Sequence, residues 1–555
     1  MSRKAKTFTG NKVPRLTKFL YPFSGIFRDA CYALVGSFLL QYAINSGVLS
    51  SVKDVFDAQY GVISVAMIIA LVWDGINDPI MGFIVEKVHL PWGKFKPWIL
   101  IGALGNAIAV VCMFLIRPGG DGWAFVGVMI AFYFLWDLFF TMNDIGYWSM
   151  LPALTSDEQE RAQLTSRMTI CASIGGFAMT AACMLLPTLF PTLSSANVYG
   201  ILAIAISILF LASQTAVFFL CQEKERGAEQ DKVSEETHLL DLFRVVRDNP
   251  QVRVSVIAMF IYYLASGVLT GGIGLNYFYL SLGYGSGRGG LVSTGISIMY
   301  VLAMIGSQAL YPVLAKKLPK KKILMISFVV QLVGFAGFLF CCTPLFGNNP
   351  IAFNPIADPT TVEEMRDFFA MNIGWALGGT MFLNYVFPLI FFFGMGLMYM
   401  VTLVMFQDSI DYNEYTHGER KESVISAWRP LTVKLSSALL RGFQFLIFFV
   451  TGLTAAMTAI SEAEKLHNAW VQTNTDPNAI DVDFITAVVN AKNSVSADSL
   501  RAAGILIVAL LTLSIVAAWA LLQFGYKITE EDHRKMVAEL EARKGAAEAP
   551  ETPAE

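Results

Sequence analysis

Twelve stretches of about 20 apolar residues, each long enough to cross the hydrocarbon core of a bilayer, constrain this chain more than any other feature. They centre near residues 34, 70, 107, 133, 178, 209, 264, 300, 332, 390, 444 and 513. Inside a bilayer no water satisfies backbone polar groups, so such runs become helices and the fold class is all-α. Composition agrees: 55% of the residues are hydrophobic and only 15% charged, against about 25% charged in a soluble domain. Net charge is −3, and no basic nucleic-acid footprint is present. The seven cysteines lie in or beside apolar runs without CxxC spacing, and they read as small buried side chains rather than metal ligands.

Lysine and arginine cluster in alternate connections: "KFK" at 94–96, "EKER" at 223–226, "AKKLPKKK" at 315–322, "ERK" at 419–421 and "HRK" at 533–535. The intervening connections are nearly bare. The positive-inside rule then places both termini in the cytoplasm. The longest inner break, residues 223–250, divides the spans six and six. We therefore expect an N-terminal six-helix bundle over 1–222, a cytoplasmic linker over 223–250, a second bundle over 251–526 and a cytoplasmic, partly disordered tail over 527–555. Basic connections recur between spans two and three and between spans eight and nine, a weak internal repeat. Six plus six with that repeat is the layout of the major facilitator fold, whose halves rock about a central site. Two outer segments, 343–372 and 461–500, are long enough to form surface helices of their own.

Charges inside spans are costly, and each is a functional hypothesis with a partner to be named. In "WDGINDP", Asp74 and Asp78 stand four apart and share one helix face. Asn77 lies close to that face, and Pro79 displaces the carbonyl of Gly75. Converging oxygens suit a small hard cation, or a proton held by one carboxylate against the other. The remaining intramembrane polar groups are Asp29, Asp137, Thr141, Asp144, Arg167 and Lys434. Asp137, Thr141, Asp144 and Trp148 continue one face of the fourth span. Carboxylates beside an indole and a guanidinium suit a sugar's hydroxyls and apolar ring face; the same parts suit an amino acid or an organic cation. Among these residues no nucleophile and base pair, resident metal set or nucleotide motif is found, so the chain reads as neither an enzyme nor a cofactor protein.

Three segments carry a family likeness: "WDGINDPIMGFIVEKVHLPWGKFKPWILIG", "NDIGYWSMLPALTSDEQERAQL" and "DSIDYNEYTHGERKESVISAWRPLTVK". They resemble the glycoside, pentoside and hexuronide to cation symporters, a major facilitator family typified by the bacterial melibiose carrier, over about 400 residues. The resemblance implies a coupling cation, Na+, H+ or Li+, at Asp74 and Asp78, with Asn77 and Thr141 as further ligands and Lys434 as a coupling residue. It implies sugar recognition by Asp29, Asp144, Trp148 and Arg167, with Arg28 as neighbour. Asp137 departs from the family pattern, which has a small residue there, and adds a third carboxylate to the cation site. Tyr399 stands where the family has an indole, and Arg429 and Pro430 replace uncharged polar residues, so Arg429 is a candidate partner for an acidic sugar.

The expected protein is a monomeric, multi-pass carrier of the cell's inner (plasma) membrane. Its partners are a sugar, a monovalent cation and membrane lipid, and it imports a glycoside by cation-coupled symport. A lysophospholipid-type carrier of the same architecture and a membrane sugar sensor are the competing readings.

Overall fold

A computed structural model describes residues 7–8, 12–88, 92–154, 158–190, 193–224, 239–284, 287–342, 361, 363–364, 378, 382–418, 422–426, 428–474, 476 and 479–547. Most of the outer segment 343–372 and the basic triplet 419–421 lie outside these residues. Eleven helices among the described residues are long and apolar enough to cross a membrane. A further helix, α2, carries Asp74 and Asp78 and centres on residue 70 as the hydropathy pattern requires.

The first half comprises α1 (Arg15–Asn45), α2 (Lys53–Lys87), α3 (Lys96–Leu115), α4 (Trp123–Leu154), α5 (Glu158–Leu189) and α6 (Ser195–Leu220). Within the linker, α7 (Leu239–Asp248) precedes the second half: α8 (Pro250–Thr270), α9 (Gly272–Leu282), α10 (Gly287–Ala315), α11 (Lys320–Cys342), α12 (Leu383–His417), α13 (Glu422–Ser426), α14 (Trp428–Val450), α15 (Thr454–Thr473), α16 (Val482–Ser494) and α17 (Ala497–Ala520). The tail contains α18 (Glu530–Ala547). Helix starts follow local chemistry. Asn249 accepts hydrogen bonds from the N–H groups of Gln251 and Val252, with Pro250 as first helical residue, an N-cap followed by a residue whose missing N–H costs nothing there.

The two halves repeat each other at a level the sequence reading did not reach. Gly102 and Gly105 of α3 pack on α4 so closely that an added Cβ would meet the Asn143 nitrogen at 2.6 Å and the Phe139 ring at 2.4 Å. In the second half, Gly334 and Gly337 of α11 stand in the same relation to the Phe391 nitrogen (2.4 Å) and the Phe387 ring (2.2 Å) of α12. Small residues three apart let helix backbones approach in lipid, where packing replaces hydrophobic drive. The halves meet through α2 against α14 and α5 against α10. These pairings, second with eleventh span and fifth with eighth, exchange under a twofold swap of the halves.

Segments near both ends of the chain pack at the face of the basic connections. Thr7–Phe8 pairs in parallel with Glu223–Lys224, which sets these two residues beside the start of the linker. In the tail, the His533 ring lies 3.1 Å from Asp411 and 3.5 Å from Asp408 on α12, and Glu530 accepts from the Lys320 backbone N–H at 2.6 Å. On the outer face, the region 461–500 forms α15 and α16, and α15 packs against α1, α2 and α16.

Candidate functional site

A central cavity of about 680 Å³ lies between the halves. Its first-half wall carries Asp29, Asp74, Asp78, Asp137 and Asp144; its second-half wall carries Arg429, Lys434 and Arg441. The cavity reaches the inner end of α14 at Arg429 and Pro430, both exposed.

The Lys434 ammonium reaches across from α14 to α2, 2.6 Å from Asp74 Oδ2 and 2.8 Å from Asp78 Oδ2. The i, i+4 spacing turns both carboxylates toward it. Thr141 Oγ1 donates to Asp74 Oδ1 at 3.3 Å, adding α4 to the cluster. The amine thus occupies the convergence point that the sequence suggests for a mobile cation. Asp78 keeps 42% of its side chain exposed, against 11% for Asp74, so an ion has access from the cavity. Asp137 is buried, with Oδ2 lacking a hydrogen-bond partner. Among the described residues no group of three His, Cys, Asp or Glu side chains is arranged to hold a metal; the donor set is two carboxylates and a hydroxyl, with Asp137 beside them.

A second node lies on the same wall. Arg28 is 3% exposed, and its guanidinium donates to Asp29 Oδ2 at 2.9 Å and to Asp144 Oδ1 at 2.8 Å. It also lies over two rings, 4.3 Å from the Tyr147 centroid and 5.4 Å from that of Trp148, a cation–π arrangement. Each carboxylate commits one oxygen to the guanidinium. Asp29 and Asp144 keep 24% and 38% of their side chains exposed, so they offer acceptors to the cavity beside the indole of Trp148.

Several expected residues sit elsewhere. Arg167 is exposed and does not line the cavity; Thr165 and Thr169 of the same helix do. Arg167 is two residues from each threonine, about 200° of helix rotation, so it faces the other way, and the sequence does not say which face turns inward. Tyr399 stands behind the wall, its hydroxyl accepting from Arg429 at 2.9 Å, while Tyr263 lines the cavity in its place. Asn77 is buried off the cavity with its Nδ2 unpartnered. Sequence reasoning missed Arg441, whose guanidinium donates to the Tyr133 hydroxyl at 3.2 Å and to the Gly36 carbonyl. Its position seven residues after Lys434, on one helix face, was the available signal. Arg28, expected as a mere neighbour, organises its node.

The outer end is sealed by polar contacts between the halves. Asn45 donates to Asn276 at 3.1 Å, and Tyr284 donates to the Asn45 carbonyl at 2.9 Å. On α15, Glu464 is 2% exposed and accepts from the Ser195 N–H (3.1 Å), the Ser195 hydroxyl (2.5 Å) and the Tyr284 hydroxyl (3.0 Å). Burial raises its carboxyl pKa above the ordinary glutamate range, against the lowering effect of the Ser195 hydrogen bonds and of His467.

The family model described as "MFS/sugar transport protein" matches residues 39–468. The chain is 26% identical over 465 residues to a lactose permease of Leuconostoc lactis, covering 81% of this chain and 65% of that protein. It is 22% identical to a raffinose carrier protein of Pediococcus pentosaceus, covering 81% and 65%. It therefore spans just under two thirds of the length of these relatives. An isoprimeverose transporter of Lactiplantibacillus pentosus is 22% identical, with 85% of this chain and 88% of that protein covered. Among solved structures, an inward-facing, occupied bacterial homologue of the human lysosomal transporter Spinster superposes with a TM-score of 0.54 at 11% identity, covering 91% of this chain and 95% of that chain. A D-xylose-proton symporter gives 0.51 at 10% identity, covering 82% and 96%.

Proposed function

The chain belongs to the MFS/sugar transport protein family, a multi-pass membrane protein and not an enzyme, and on that premise we propose that it imports a glycoside across the cell's inner membrane by symport with a monovalent cation. The observation that carries this reading is the bridge from Lys434 to both Asp74 and Asp78, on the wall of the cavity that also holds the Arg28, Asp144 and Trp148 node. The cation, Na+ or H+, is cargo and not a resident cofactor.

In the closed-outside arrangement the amine compensates the two acids. An incoming cation takes over that role, and Lys434 withdraws toward its own half. Thr141, on the helix that also carries Asp144 and Trp148, bonds to Asp74 and supplies a path between the cation and sugar positions. Each ligand then raises the other's affinity by one common factor. The hydroxyl-rich substrate meets the free oxygens of Asp29 and Asp144, and its apolar ring face meets Trp148. One positive charge moving inward through 100 mV supplies about 2.3 kcal/mol, and a tenfold cation gradient about 1.4 kcal/mol.

Arg429 at the cavity mouth bonds to neutral partners, which supports acceptance of acidic as well as neutral glycosides. The charged walls disfavour a lipid carrier, whose cargo needs an apolar, laterally open cavity. Proteoliposomes with separately imposed Na+ and H+ gradients test the proposal on a panel of neutral and acidic glycosides. Wild-type chain should accumulate a glycoside under one of the gradients, and Asp74→Cys or Asp78→Cys should lose accumulation while keeping downhill exchange. Normal accumulation by both variants would remove the cation assignment; uptake of lysophospholipid with none of any glycoside would replace the cargo.

A further inference from the structure

Beyond Arg441, toward the outer face, lies a second chamber of about 210 Å³. Gly36, Ser437 and Arg441 line both it and the central cavity, so the two rooms share a partition. That partition is the Arg441 guanidinium, spanning from α14 to the Tyr133 hydroxyl and the Gly36 carbonyl of the opposite half.

The outer chamber is built to hold a polar ligand. Gln41 and Gln444 both line it, and they are only 2% and 4% exposed. The Gln41 amide nitrogen lacks a hydrogen-bond partner, and that of Gln444 has none either, its amide standing beside the equally unpaired Tyr60 hydroxyl, although a primary amide carries two N–H donors and buried donors are ordinarily satisfied. Gln41 is fixed in place because its carbonyl oxygen accepts from Asn276 at 2.7 Å. Thr270 and Ser437 add hydroxyls, and Gly271 and Gly272, at the break between α8 and α9, complete the wall, with Gly272 directly against the Gln444 carbonyl oxygen. Interrupted helices of this kind line substrate sites in carriers. The space equals about seven liquid-water volumes at ~30 Å³ each. It suits one hydroxylated ring.

We propose that this chamber is a second saccharide subsite, which takes the distal ring of an oligosaccharide whose leading rings lie in the central cavity. The inference rests on the sugar-symport reading above. Arg441 is the residue that sets chain length. Its two partners are neutral acceptors, so hydroxyls of a threaded glycan replace them without stranding a charge when the side chain swings aside. The Gln41 and Gln444 amides then donate to the ring oxygens beyond it.

The test compares two substrates of one series in proteoliposomes: a methyl glycoside of a single ring and a trisaccharide ending in that ring. In Gln444→Leu, the KM for the trisaccharide should rise about tenfold, while that for the methyl glycoside stays within twofold. Gln444→Asn keeps the amide but retracts it, and should show the same direction with a smaller change if the leucine variant folds poorly. Equal shifts for both substrates, or no shift for either, would overturn the subsite and leave the chamber to water. Failure of the wild-type chain to carry any glycoside would overturn the sugar reading itself, an outcome distinct from these.

Discussion

The two charged nodes of the central cavity have the same composition and opposite connectivity. Each sets one cation between two carboxylates. Arg28, Asp29 and Asp144 all belong to the first half, so their node travels as part of one rigid bundle. Lys434 comes from the second half, whereas Asp74 and Asp78 come from the first; this node must break whenever the halves separate there. A node within a bundle suits recognition, since its geometry survives the conformational change. A node between bundles suits coupling, since whatever replaces the lysine decides whether the change is permitted.

Substitutions can break that contrast, and the largest effect is expected at Arg28. Arg28→Met leaves two acids without their buried partner, a loss of about 3–5 kcal/mol. Glycoside binding by calorimetry should vanish and thermal stability should fall together. A variant that stays stable and binds normally would remove the node from recognition. Next comes Lys434→Ala, which should abolish accumulation while leaving sugar binding within about threefold; adding Asp78→Asn should restore stability by removing one uncompensated charge. Equal loss of binding in Lys434→Ala and Arg28→Met would erase the distinction between the nodes.

Smaller effects sharpen the picture. Asp144→Asn keeps shape but weakens a charge-assisted acceptor, and its glycoside KM should rise about tenfold at unchanged cation affinity. The outer seal adds a pH test. The closed state buries Glu464 and raises its pKa, so closure binds the proton more tightly than the opened, solvated state does. That stabilisation is complete below the ordinary glutamate range and is lost as pH rises through the raised value. Ser195 and Tyr284 contact the group directly, and His467 and Tyr199 also act on it. Labelling of Asn45→Cys from outside should therefore increase about threefold with rising pH, and Glu464→Gln should flatten the profile. Arg429→Gln should have the least consequence, under threefold for a neutral glycoside and more for an acidic one.

Much of this design was legible in the residues because intramembrane charges are rare enough to be read singly. Asp74 and Asp78 pair by spacing, and Lys434 stands out as a basic group within its span. What stayed hidden depends on which way a helix is rotated. Arg167 and Thr165 lie within one turn, yet only the threonine lines the cavity. Arg441 reads in isolation as a charge heading for the membrane surface; only the opposite half shows that it ends on a tyrosine hydroxyl and a carbonyl. Glu464 looked like one more polar residue of an outer loop, because its partners Ser195 and Tyr284 are 269 and 180 positions away in sequence. The repeated glycine pairs of α3 and α11 escaped notice for the same reason: their meaning resides in the Phe139 and Phe387 rings they face.

Because the Lys434 amine is tethered beside Asp74 and Asp78, any ion from solution competes with a rival that never diffuses away. An amine held at a local concentration on the order of millimolar would raise the level at which the proposed cation half-fills the site, in proportion to the amine's own affinity for the two carboxylates. The proposed carrier would then need more ambient ion to load than a bare pair of acids would, a handicap set by the reach of one side chain.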